Sequence, residues 1–340
     1  MPRTVKKRRP TMRDVADFAG VSQTTVSFII NEVGGISIPE ETRQRVWAAV
    51  EQLGYRRNAV AHGLRTDRTS VLGFITDEIA TTPFAGKIVQ GAQDAAWENG
   101  KILFLINTGK NPAIEKTAIE MMLERKVEGI IYATMYHRAV NPPDTIREVP
   151  TVLLDCFSRD HSLPSVVPDE VGGARTATEA LLEKGHRRIG FLNNVDPIPA
   201  TFGRLEGYKQ ALANYGVPFD ASLVACGESQ ASGGYRCTLS LMQSTNPPTA
   251  IFCFNDRMAM GAYDALRKLN FRIPDDIAVI GFDNQEIIAE QLHPALSTIE
   301  LPHYQMGWWA VKYLVEHGGA EAMRPVQHVM ECPLIRRESF

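Results

Sequence analysis

The chain reads as an α/β protein with an all-α head, followed by a core of two doubly wound parallel-sheet subdomains. Three observations carry this. Residues 11–31 hold two short apolar-periodic helices joined by a three-residue turn, apolar strands alternate with amphipathic helices from Ser70 onward, and that alternation starts afresh after Pro168.

In the head, Val15, Ala16 and Ala19 share the inner face of the first helix, and Val26, Ile29 and Ile30 that of the second. Thr11 and Ser22 stand at N-cap positions, where a hydroxyl accepts an orphan backbone N–H. The turn Gly20-Val21-Ser22 is short enough to make the helices cross steeply, leaving Gln23, Thr24 and Ser27 on an outward polar edge. A helical hairpin with such caps need not bind anything, but this is also helix-turn-helix geometry, in which the second helix enters the DNA major groove. After a loop at Val33-Gly34-Gly35, Ser37, Pro39 and Glu40-Glu41 mark a third helix start with acids facing the helix dipole. Val46, Ala49, Val50 and Leu53 form its apolar side and Gly54 ends it.

Charge separates the same two parts. The net charge is −3, yet residues 1–68 carry 12 Lys/Arg against seven acids, and the remainder 24 against 32. A head of +5 on a body of −8 suits a phosphate-binding module joined to a body that DNA repels. The run Lys6 to Arg9 would on its own be a solvated tail.

Residues 56–68 form a connector in which Asn58 could cap a two-turn helix holding Val60, Ala61 and Leu64. The core then runs VLGFIT, a helix near 87–99, ILFLIN, a helix near 112–126, GIIYAT and TVLLDC. Beyond Pro168 come a helix near 172–184, RIGFLN, a helix near 204–215, a strand around 223–225, a helix at 233–242, AIFCFN, a helix at 257–269 and AVIGFD. Near-continuous apolar strands alternating with helices imply parallel sheets covered on both faces. Neither half has GxGxxG after its first strand or GxxxxGK[ST], so no dinucleotide, triphosphate or other cofactor is expected. The five cysteines (Cys156, Cys226, Cys237, Cys253, Cys332) are scattered without metal-ligand spacing and read as thiols in a reducing compartment. No apolar stretch of signal-peptide length follows the basic N-terminus, and no run of about 18 apolar residues occurs, so a cytoplasmic protein without membrane contact is expected.

The order of segments MRDVADFAGVSQTTVS, ETRQRVWAAVEQLGY, NAVAHGL, RKVEGIIY, EKGHRRIGFL, GRLEGY, PPTAIFCFNDRMAMGA, IPDDIAVIGFDN and ALSTI resembles the lactose-repressor (LacI/GalR) family of bacterial transcription regulators over essentially the full length. The resemblance implies a headpiece at residues 1–57, a hinge helix at 58–69 and a periplasmic-binding-protein-like core at 70–340. It implies crossings between subdomains near Pro168, near Pro294–Thr298 and near Arg324-Pro325. The N-terminal subdomain would then hold about 70–167 and 298–324, including a helix at His303–His317. The C-terminal one would hold about 168–294 and 326–340, with Val326 to Leu334 as its finish.

By the same resemblance, base reading falls to Gln23, Thr24 and Phe28. Gln pairs with adenine through two hydrogen bonds, and Thr meets a base edge or thymine methyl. Phe28 replaces a frequent arginine; it would touch a thymine methyl or pack against the headpiece or hinge. Arg13, Ser22, Thr25 and Asn31 suit phosphate contacts, which position without specifying. Asn58, His62 and Leu64 belong to the hinge element, Leu64 matching the leucine that wedges into the minor groove. Arg57 stands where proline is frequent, and Gly63 costs roughly 1 kcal/mol of helix propensity, so the hinge is expected to order only on DNA. In the core, Arg204 matches an arginine that donates to sugar hydroxyls or a carboxylate, Asp283 an acceptor on the opposite wall, Phe84 a covering aromatic, and Asn255 and Asp155 further cleft residues. Asp256 is expected to cap the next helix, and Asp283 could instead serve a cap or turn. Ser229 occupies a position where some relatives place an aromatic platform.

These features imply a repressor, working as a homodimer on a pseudo-palindromic double-stranded operator and controlled by a mono- or disaccharide. The short stretch after the last core strand favours a dimer over a tetramer. No Ser–His or Cys–His pair in a known motif marks an enzyme, and His186 is expected to bond backbone at a helix-to-strand join. A sugar receptor for transport would share the core but need a secretion signal and no head. A regulator whose cleft takes a partner protein, or has lost its ligand, is the third reading.

Overall fold

The computed structural model describes residues 8, 10–31, 35–56, 69–79, 82, 86–319 and 323–340. The chain divides into two units, Met1–Thr69 and Ser70–Phe340.

In the first unit α1 (Met12–Ala19), α2 (Gln23–Ile30) and α3 (Glu40–Leu53) enclose Val15, Ala16, Ala19, Val26, Ile29, Val46 and Ala49. Full burial of a Val or Ile side chain contributes about 1.5–3 kcal/mol, and so small a core needs its helix ends secured. Thr11 supplies this at α1 through a capping box: its hydroxyl accepts from Asp14 N while the Asp14 carboxylate accepts from Thr11 N. Ser22 caps α2 by accepting from Thr25 N at 3.0 Å, and Gly20 and Gly54 end α1 and α3 in left-handed conformations. At α3 Ser37 does not act as the cap; Pro39 holds the N-cap position without a side-chain bond, and the first-turn acids Glu40 and Glu41 face the dipole.

The second unit contains two sheets built to one plan. The first lobe holds β1 (Val71–Thr76), α4 (Gly86–Glu98), β2 (Ile102–Asn107), α5 (Pro112–Glu124), β3 (Ile130–Val140), β4 (Thr151–Ser158) and β5 (Ser165–Pro168). The second holds α6 (Glu170–Glu183), β6 (Ile189–Asn194), α7 (Pro199–Asn214), β7 (Val224–Gly227), α8 (Ala231–Met242), β8 (Ala250–Cys253), α9 (Asp256–Lys268), β9 (Ala278–Asp283), the short α10 (Glu286–Ala289) and β10 (Ser297–Glu300). Then follow α11 (His303–His317), β11 (Gln327–Met330) and β12 (Leu334–Ile335). Strand orders are β11-β5-β4-β3-β1-β2 and β12-β10-β9-β8-β6-β7, the same doubly wound arrangement twice. All pairings are parallel except β10 with β12. α7 begins five residues before the expected Arg204, because Pro199 at the first helical position needs no backbone donor.

Two of the three crossings differ from expectation. β10 continues the second sheet, Ser297 beside Ile280 and Glu300 beside Asp283, so the chain leaves that lobe only at Leu301-Pro302, beyond Pro294–Thr298. Its hydroxyls look like linker chemistry but are bonded inside the lobe: Thr298 Oγ1 donates to Asp256 Oδ1 at 2.6 Å, and Ser297 Oγ accepts from Arg337 N. Residues 326–334 do not finish the C-terminal subdomain. β11 pairs with β5 (Gln327 beside Ser165, Met330 beside Pro168), so the last crossing falls between Met330 and Leu334, past Arg324-Pro325. β11 extends a sheet edge with half its residues exposed, and so lacks the apolar run of a central strand.

α11 returns to the first lobe, where Met306, Ala310, Val311 and Leu314 join the cluster of Leu72, Phe74, Ile88 and Ala92. It lies so close to α4 that a Cβ on Gly91 would sit 2.0 Å from the Tyr304 carbonyl, and one on Gly307 2.1 Å from the Ile88 carbonyl. Gly91→Val is therefore expected to lower stability by about 1–3 kcal/mol or more, as overpacking does. Gly319→Ala, with open space around it, is expected to be neutral. Urea midpoints measure both; equal midpoints for Gly91→Val and wild type would contradict the close contact.

Candidate DNA-reading head and effector cleft

Gln23 and Thr24 are exposed at the start of α2, while Phe28 is half-buried further along the helix. Arg13 is exposed on α1. The remaining phosphate candidates are engaged within the helix: Ser22 and Thr25 share a hydroxyl–hydroxyl bond of 2.8 Å, and Asn31 Nδ2 donates to the Ser27 carbonyl at 2.6 Å. Asn58, His62 and Leu64 lie outside the described residues, as does Phe84.

In the second unit a cavity of about 200 Å³ opens between the lobes. Its first-lobe wall comes from Met135, Tyr136, His137 and Asp155. The pairing of β3 with β4 skips between Ala133 and Arg138, and the stretch freed by that irregularity carries Met135 to His137 into the cleft. The second-lobe wall includes Glu170, Asn194, Arg204, Ser229, Phe254, Asn255, Arg257 and Asp283, with His303 beside it. Most of these side chains sit at or just past strand carboxyl ends, where open α/β sheets bind ligands.

Arg204 organises the second wall. Its Nε donates to Glu170 Oε2 at 2.7 Å, its Nη1 donates to the Phe254 carbonyl and lies 3.5 Å from Asp283 Oδ1. The Phe282 and Phe254 ring centroids stand 3.6 and 4.4 Å from the guanidinium carbon, two cation–π contacts. Arg204 and Asp283 thus belong to one lobe, not to opposite walls. Burial works against the guanidinium charge, but Glu170 and Asp283 outweigh it and hold the pKa above its ordinary value.

Asn255, not Asp256, caps α9, its Oδ1 accepting from Met258 N at 2.8 Å while its Nδ2 donates to the Ser229 carbonyl. Asp256 is fully buried, accepting from Thr298 Oγ1 and from Gln285 N. His186 meets the Thr249 hydroxyl at 2.9 Å instead of a backbone group.

Two buried atoms in the cleft lack a hydrogen-bond partner: Asp155 Oδ1 and His137 Nδ1. Burial, then the nearby Glu170 and Asp77, push the Asp155 carboxyl well above the usual carboxylate range. Burial lowers His137, keeping its imidazole neutral near pH 7. Asp155 and Asp283 also have positive φ, +54° and +104°, a sparsely populated conformation that concentrates at ligand sites. Across the lobes Lys87 Nζ meets Glu286 Oε1 at 2.5 Å.

Residues 69–335 match a family model described as periplasmic binding proteins and sugar binding domain of LacI family, and residues 11–58 one described as bacterial regulatory proteins, lacI family. The chain belongs to the LacI family. The HTH-type transcriptional regulator RegA of Clostridium saccharobutylicum is 32% identical over 336 residues, 97% of this chain and 98% of its own. The lac repressor dimer bound to operator and the anti-inducer ONPF superposes with a TM-score of 0.80 at 26% identity, covering 98% of this chain and 99% of that one. The transcriptional regulator CelR in complex with cellobiose gives 0.67 at 29% identity, covering 98% and 100%. This chain is accordingly a DNA-binding transcriptional regulator and not an enzyme. Among the described residues no helix is long and apolar enough to cross a membrane, and no cluster of His, Cys, Asp or Glu could hold a metal ion.

In this LacI-family core the structure brings Asp155, Arg204, Asn255 and Asp283 to one cavity. Sequence reasoning passed over Glu170, His137 and His303. Glu170 reads as an ordinary first-turn acid next to the Asp169 cap, and only the three-dimensional approach of α6 to α7 reveals its partner. His137 lies beyond the apolar run of β3, where no period marks it.

A raised folded pKa at Asp155 has a defined sign. Its contribution to stability is complete below the unfolded value, about 4, and is lost as pH rises through the folded value. Asp155→Asn, which fits a left-handed backbone, is expected to gain on wild type in urea unfolding as pH climbs from 4 to 8. Parallel pH profiles would contradict a buried, proton-retaining Asp155.

Proposed function

We propose that this regulator is a repressor whose hold on a pseudo-palindromic operator is set by a small hydroxyl-rich effector, a mono- or disaccharide, bound between the core lobes. The observation that carries the reading is the inter-lobe cavity in which two buried polar atoms, Asp155 Oδ1 and His137 Nδ1, await partners. Buried polar groups are almost always satisfied, and the hydroxyls of a sugar, each both donor and acceptor, supply the partners that water-excluded groups need. The neighbouring cellobiose complex supports that ligand class, and the operator-bound dimer supports the DNA partner and a homodimer. Arg204, Asn255 and Asp283 would orient the ligand, with Phe84 covering it.

In the head, Gln23 and Thr24 would read base edges, with Phe28 contributing an apolar contact or support. Arg13, Ser22, Thr25 and Asn31 would meet phosphates through side-chain or adjoining backbone donors. Residues 58–69 would form the hinge element, Asn58 and His62 flanking the Leu64 wedge. Ligand and DNA affinities are then coupled reciprocally, typically by 1–3 kcal/mol. A cytoplasmic location follows from a DNA partner.

Operator selection from random duplex at fixed salt, repeated with a panel of neutral sugars, tests the whole reading. A pseudo-palindrome whose retention changes with one sugar is the expected outcome; no selected sequence, or no sugar effect, would refute it. At the base-reading level, Gln23→Ala is expected to cost about 1–3 kcal/mol of operator affinity and relax preference at one position per half-site. Uniform weakening across all sequences would assign Gln23 to the backbone instead.

A further inference from the structure

The cleft carries more acid than base. Asp155, Glu170, Asp196 and Asp283 reach its wall, against Arg204 and Arg257. Arginine takes a carboxylate or phosphate best through two adjacent N–H groups presented as a fork. In Arg204 neither edge of the fork is complete. Glu170 Oε2 occupies Nε at 2.7 Å, and the Phe254 carbonyl and Asp283 occupy Nη1. The Phe282 and Phe254 rings pack against the guanidinium as well, and with Nε and Nη1 engaged the Nη2 donors act as single hydrogen-bonding groups.

We propose that Glu170 is a specificity-determining residue: by holding Arg204 it closes the cleft to anionic ligands and keeps it for uncharged, hydroxyl-rich ones. The proposal rests on the inter-lobe cavity being the effector site. A ligand carboxylate or phosphate could pair with Arg204 only by displacing Glu170. That would leave a buried carboxylate without its cation, a costly state, and bring the incoming charge beside the displaced Glu170 and beside Asp283. A sugar hydroxyl accepts one Nη2 hydrogen and donates to Asp155 Oδ1 with no such conflict. Nothing in the first turn of α6 requires an acid that deep for capping, since Asp169 Oδ1 already accepts from Gly172 N at 2.8 Å.

The test uses the full-length protein, titration calorimetry and thermal shift. Its probes are neutral sugars (glucose, galactose, ribose, cellobiose), their anionic counterparts (glucuronate, galacturonate, glucose 6-phosphate) and inorganic phosphate. In wild type every anionic counterpart of a sugar that binds is expected to be weaker by at least about tenfold, and phosphate to give no saturable shift. Glu170→Gln keeps an acceptor for Nε and removes one negative charge. It is expected to gain saturable phosphate binding and to narrow the neutral-to-anion ratio by about tenfold. A wild-type protein that binds a uronate or sugar phosphate as well as the neutral sugar overturns the proposal, as does a folded Glu170→Gln with unchanged ratio and no phosphate binding. Should Glu170→Gln fail to fold, the wild-type neutral-to-anion comparison decides alone; should no sugar in the panel bind, the phosphate arm decides. Asp155→Gly, which removes the acceptor and tolerates the positive φ, separates the two levels. Sugar binding untouched by Asp155→Gly removes the effector-site reading itself, whereas binding lost in Asp155→Gly but indifferent to ligand charge removes only the role of Glu170.

Discussion

Parallel pairing is the constraint on which the core depends. When strands run in one direction, every carboxyl end lies along the same sheet edge, and the residue that follows each strand is delivered there. Two such sheets facing each other place Asp155, Asn194, Asn255 and Asp283 around a shared space, although they lie far apart in the chain. The price is paid in backbone strain. Asp283 turns into a positive-φ conformation at the end of β9, and Asp155 does so inside β4, where its pairing with β3 skips; a folded scaffold tolerates this because the flanking strand residues are buried.

Around this edge the second lobe is held rigid by a buried charge cluster. Arg204 is 3% exposed, and a guanidinium at that depth needs both hydrogen bonds and counter-charge. Glu170, Asp283, the Phe254 carbonyl and two aromatic rings provide them from α6, β9 and the β8–α9 junction. Removing one member of such a pair typically costs about 3–5 kcal/mol, so the cluster fixes the wall as well as its charge. The first wall is different in kind. There Asp155 Oδ1 and His137 Nδ1 are buried without a hydrogen-bond partner.

Much of this was legible in the sequence. The head declared itself because Thr11, Ser22, Gly20 and Gly54 mark helix ends through local hydrogen-bond and φ chemistry that does not need the rest of the fold. The cleft residues Asp155, Asn255 and Asp283 were found because each closes an apolar strand, and Arg204 because its surrounding segment matches the family. What escaped depends on long-range pairing. The hydroxyls of Ser297 and Thr298 look like solvent-facing groups until Arg337 and Asp256 are seen to bond them. β11 is a strand only because β5 offers it an edge. Glu170 lacks any sequence mark, since its partner lies 34 residues away on a neighbouring helix.

The late return of the chain to the first lobe bears on how the protein is made. α11 and β11 supply part of that lobe's core and one edge of its sheet, yet they follow all of the second lobe but its last strand, β12. Chains emerge from the ribosome at about 5–20 residues per second and fold from the N-terminus. The first lobe must therefore wait, with the Gly91 flank of α4 bare and β5 unpaired on its outer side, until α11 and β11 have been synthesised. Until then a nascent chain presents a bare helix flank and an open strand edge to chaperones and to strand-edge association, and β11 and β12, three residues apart, complete the two sheets almost together.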